Sequence, residues 1–118
     1  MSNAHIKEAA NNIRKAVGDV RQMMQDTQAS ANNMRRDLEK RINDINNQKN
    51  LLKQQMFTSN NSTGAASQTM LLQRLDSEVS NIQKQITQLQ ADTQRQNQEL
   101  DKQAYDFDYL ANRLDSMA

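Results

Sequence analysis

Apolar residues return every seven places along two stretches of this chain, and the two stretches are out of phase. In the first, one series reads Ala10, Val17, Met24, Ala31, Leu38, Ile45, Leu52 and a companion series reads Ile6, Ile13, Val20, Thr27, Met34, Arg41, Gln48. In the second, the series are Leu72, Val79, Ile86, Thr93, Leu100, Phe107, Leu114 and Leu75, Ile82, Leu89, Gln96, Gln103, Leu110, Met117. These are the a and d positions of coiled-coil helices. Carried onward from Leu52, the first register would reach 59, 66 and 73, one place off the second. A continuous helix would throw the stripes out of line. A turn lets them face each other.

The turn chemistry lies between the stripes, in Asn60, Asn61, Ser62, Thr63 and Gly64, residue types that tolerate left-handed backbone or cap a following helix. The pattern therefore predicts an all-α fold, an antiparallel two-helix coiled-coil hairpin that oligomerises into a helical bundle. Its expected parts are a frayed N-terminus (1–5), a first long helix (6–57), a polar elbow loop (58–67) and a second long helix (68–118). The expected seam is Ile13, Val17, Val20, Leu38, Ile45 and Leu52 against Leu75, Ile82, Leu89, Leu100, Phe107, Leu110 and Leu114. The alignment sets Leu52 by Leu75, Val20 by Phe107 and Val17 by Leu110, although a slip of one heptad matches nearly as well.

Composition tests this reading, since only 36% of the 118 residues are apolar and mean hydropathy is −0.99. That is too little for a compact globular core, and would also suit a disordered chain. Placement decides for helix: the apolar residues keep to two of seven positions through both halves, and proline is absent. No run of about 18 apolar residues occurs and the N-terminus lacks an apolar signal segment, so the chain is expected to be soluble as written, without a membrane span or signal peptide.

Charge is nearly balanced overall but unevenly divided. Residues 1–57 carry ten Lys or Arg against six Asp or Glu, and residues 58–118 five against eight. Arms of opposite sign attract when laid side by side. Paired e to e, Lys49 meets Asp76, whereas Arg14, Arg21 and Arg35 find only alanine or glutamine, which leaves a candidate basic edge.

The chemistry-bearing residues are few. Cysteine is absent and His5 is the single histidine, so no catalytic, cofactor-binding or metal-binding residues are expected, and no enzymatic activity. The basic run Met34 to Arg41 is interrupted by Asp37 and Glu39 and has no aromatic neighbour for base stacking, which argues against nucleic-acid binding. Asp106 and Asp108 lack the turn glycine and distal glutamate of a calcium loop. Along the middle of the seam Thr27, Ala31, Thr93, Gln96 and Gln103 interrupt the apolar stripe, either as a register key or as tolerated wet positions.

Near the termini, Ala9, Ala16, Ala104 and Ala111, with the outward Tyr105 and Tyr109, form a candidate partner surface where another helix can approach closely. Three functions fit. The favoured one is a structural or scaffolding protein that acts by helix association, with a homo-oligomer or another helical protein as its partner. The second is a helical-hairpin chaperone or export adaptor that holds an amphipathic partner helix. The third is an electrostatic binder of nucleic acid or a membrane surface through the basic edge.

Overall fold

A computed structural model describes residues 2–58 and 62–118. The fold is all-α: helix α1 runs Ser2–Thr58, helix α2 runs Ser62–Met117, and the two pack together. Helix α1 outruns its expected bounds at both ends, and α2 starts before its expected first residue. The segment expected to fray is helical from Ser2, and the expected loop is helical from Ser62, with Gly64 inside α2 and no positive φ among the described residues. Without proline to stop it, the helix continues through Ala65 and Ala66, both strong helix formers. The turn residues Asn60 and Asn61 lie outside the described residues.

The chain divides into two compact units, a terminal unit (Met1–Ala31 with Ala91–Ala118) and a middle unit (Asn32–Gln90). Each is an antiparallel pair formed by part of α1 and part of α2.

In the terminal unit the inward residues of α1 are Ile6, Ala10, Ile13, Val17, Val20, Met24, Thr27 and Ala31, as the heptads predict. Those of α2 are Thr93, Asn97, Leu100, Ala104, Phe107, Ala111 and Leu114. Val17, Val20 and Ala104 form a buried cluster with Leu100 and Phe107 packed on it. Ala10, Ala104 and Ala111 reach 0% exposure without any bulky neighbour being fully buried. Small side chains let helix backbones approach closely enough to cover one another.

The middle unit uses larger groups. Its inward residues are Arg35, Leu38, Ile42, Ile45, Lys49, Leu52 and Met56 from α1, and Gln68, Leu72, Leu75, Val79, Ile82, Ile86 and Leu89 from α2. Ile45 and Ile82 are the buried pair, at 8% and 2% exposure. The expected ion pair between Lys49 and Asp76 forms.

Each helix changes phase once. The inward series of α1 steps by four residues twice in succession, Thr27 to Ala31 to Arg35, and α2 does the same at Leu89, Thr93 and Asn97. Two consecutive steps of four, together with the step of three before them, make an eleven-residue repeat, which locally relieves the left-handed supercoil that unbroken heptads impose. Beyond it the expected d positions turn outward: Met34, Arg41 and Gln48 on α1, and Gln96, Gln103, Leu110 and Met117 on α2, are all exposed.

Candidate interaction surface of the terminal unit

The phase change decides which groups border the terminal seam. On α2 it carries Asp108 and Asp115 to one flank, where they meet Arg21 and Arg14 of α1. Arg14 pairs with Asp115 and also donates a hydrogen bond of 3.4 Å to Asn112, and Arg21 lies 3.6 Å from Asp108. These arginines were expected to face alanine or glutamine. The rotation of α2 by the eleven-residue step gives them carboxylates instead. Arg35 does not join them, for it has turned toward the middle unit's own seam. Its Nε is buried without a hydrogen bond, and the nearest acid is Glu39, 3.8 Å away on the same helix. The basic edge is therefore not continuous, and two of its three members are neutralised within the fold.

The opposite flank is different in kind. In an antiparallel pair the g positions of both helices share a side. Here they are Ala9, Ala16, Met23 and Ser30 on α1, with Gln96, Gln103, Leu110 and Met117 on α2. Ala9 and Ala16 are half-buried, while Met23 is 54%, Leu110 46% and Met117 66% exposed. An open groove on this flank is lined by Met23, Thr27, Gln96, Glu99, Leu100 and Gln103. Met23, Leu110 and Met117 thus add exposed apolar surface beside the seam, among Ser30, Gln96 and Gln103.

Four of the expected partner-surface residues change their standing. Ala104 and Ala111 are fully buried between α1 and α2, so they cannot meet a partner directly. Leu110, expected in the core, takes a place on the exposed flank. Tyr105 and Tyr109 are exposed as expected, at 70% and 58%, but on the outer side of α2, where the Arg113 guanidinium stands 6.0 Å from the Tyr109 ring. Of the original set, Ala9 and Ala16 border the flank. Met23 and Met117 were missed because neither was weighed apart from its heptad position.

The polar middle of the stripe lies inside the terminal unit's seam. Thr93 is 6% exposed, and Asn97 donates from Nδ2 to Gln28 Oε1 at 3.4 Å while its own Oδ1 is buried without a partner. A buried amide left half satisfied costs stability, and the best-attested return for that cost in coiled coils is a fixed register. Among the described residues no helix is long and apolar enough to cross a membrane. Comparison of the chain with protein-family models, curated proteins and solved structures finds no match.

Proposed function

We propose that the chain is a non-enzymatic structural protein that works by helix association, offering the apolar flank of its terminal unit to another helix within a larger assembly. The asymmetry of the two flanks carries the reading. One is closed by the Arg14–Asp115 and Arg21–Asp108 pairs, and the other leaves Met23, Leu110 and Met117 in water. Burying side chains of this size is worth about 1.5–3 kcal/mol each, enough for a handful of them to hold a helix. An adaptor that shelters an amphipathic helix of a client is the second reading, favoured by the acidic residues beside the same flank.

Sedimentation and thermal melting test the association. The chain is expected either to sediment above its 13.5 kDa monomer mass or to melt at a higher temperature when an amphipathic helical peptide is added. The Met23→Ser, Leu110→Ser double variant is expected to lose that response while keeping its helical circular dichroism. A wild-type chain that stays monomeric and gains nothing from any amphipathic helix refutes the reading.

A further inference from the structure

The groove, in which Met23 and Leu100 lie among Thr27, Gln96, Glu99 and Gln103, is bordered on both sides by acids. Counting outward from each g position, the next bank is Asp19 and Asp26 on α1, and Glu99 and Asp106 on α2; all four are exposed. Among the described residues, none of these four takes part in an ion pair, and Asp26 accepts only a 3.0 Å hydrogen bond from Gln22. The contrast with the other flank is informative. There, carboxylates of α2 face arginines of α1 and the charge cancels across the seam. Here, carboxylates stand on both banks, and the cations on this side are Arg113, toward the chain end beside Tyr109, and Lys15, Arg95 and Lys102, one position further out, with Arg95 3.7 Å from Asp92 at the start of the α2 bank.

From this pattern we infer that the occupant of the flank is a cationic amphipathic helix, apolar on one stripe with Lys or Arg on both edges of that stripe, and not a second copy of this chain. The inference rests on the proposed association and supplies its partner. A second copy docked flank to flank would bring Asp19, Asp26, Glu99 and Asp106 against the same residues. Like charges so juxtaposed disfavour that pairing, whereas basic edges complement both banks at once. Length agrees as well. Along α2 the flank runs from Gln103 to Met117, about 14 residues or about 21 Å, which matches about four turns of a partner helix.

The test uses the full chain and two labelled helical peptides of about 18 residues with the same leucine stripe, one edged with lysine and one with glutamate. Fluorescence anisotropy is expected to give the lysine-edged peptide at least about tenfold tighter binding, and that advantage is expected to shrink as salt rises. Glu99→Lys combined with Asp106→Lys should reduce or reverse the preference, while Arg21→Gln on the closed flank should leave it in place. Equal binding of both peptides, or a preference unmoved by the double charge reversal, overturns the inference. Dimerisation of the chain through Leu110 with no peptide bound would also overturn it, yet would leave helix association standing. If neither peptide binds and no dimer forms, both readings fall.

Discussion

The terminal and middle units apply one rule, an antiparallel seam with two inward positions per heptad, to side chains of different size. In the middle unit the inward places hold mostly leucine, isoleucine and valine, charged Arg35 and Lys49 are carried on the same seam, and Leu51, Met70 and Leu71 stand exposed outside it. In the terminal unit alanine takes inward places at 10, 31, 104 and 111, and larger groups such as Met23 and Leu110 stand outside. Closely packed small residues make a thin core. The difference teaches that inward side-chain size sets how closely the two helices approach, whereas exposed apolar groups stand beside both seams.

Breaking the middle seam should have the largest effect. Ile82→Asp places a charge at the most buried large position of that unit and should cost about 3–5 kcal/mol in urea denaturation followed by circular dichroism. The terminal seam should fail in the opposite sense, by overfilling. Ala111→Leu is expected to destabilise by about 1–3 kcal/mol because no space exists beside a fully covered Cβ. Were Ala111→Leu neutral, the close approach of the helices there would be disproved.

Arg35→Leu sharpens the comparison from the other side. It removes a guanidinium whose Nε is buried without a hydrogen bond and supplies the side-chain type the middle seam otherwise uses, so a gain of about 1 kcal/mol is expected in the same denaturation experiment. The smallest expected effect is at Gly18, in the exposed interior of α1, where an added Cβ meets nothing within 4 Å. Gly18→Ala should stabilise by about 0.5–1 kcal/mol through backbone entropy alone, and should raise the thermal midpoint without altering sedimentation.

Much of this was legible in the chain. The two helices, the inward series through Ala10, Val17, Leu38 and Ile45, the series from Leu72 to Leu114, and the Lys49–Asp76 pair all follow from heptad spacing and charge. What failed was the assumption that one register persists along each helix. The signal was present in two halves: d positions become polar at Arg41, Gln48, Gln96 and Gln103, while neighbouring e positions become apolar or small at Ile42, Met56, Ala104 and Ala111. Taken together they mark an eleven-residue step near Ala31 and near Thr93. Leu110 misleads because it and Ala111 are both admissible inward residues. Hydrophobicity favours the leucine, whereas the phase set by Asn97, Leu100 and Ala104 selects the alanine.

That choice separates a docking flank from an ordinary core, and the absence of native cysteine makes it directly measurable. Single cysteines at positions 107, 110, 111 and 114 can be pulsed with a maleimide under native conditions. The thiol at 110 is expected to label fast and those at 107 and 111 slowly, with 114 between them. Protection at 110 together with rapid labelling at 111 would return Leu110 to the seam and remove the apolar flank on which the proposed association depends.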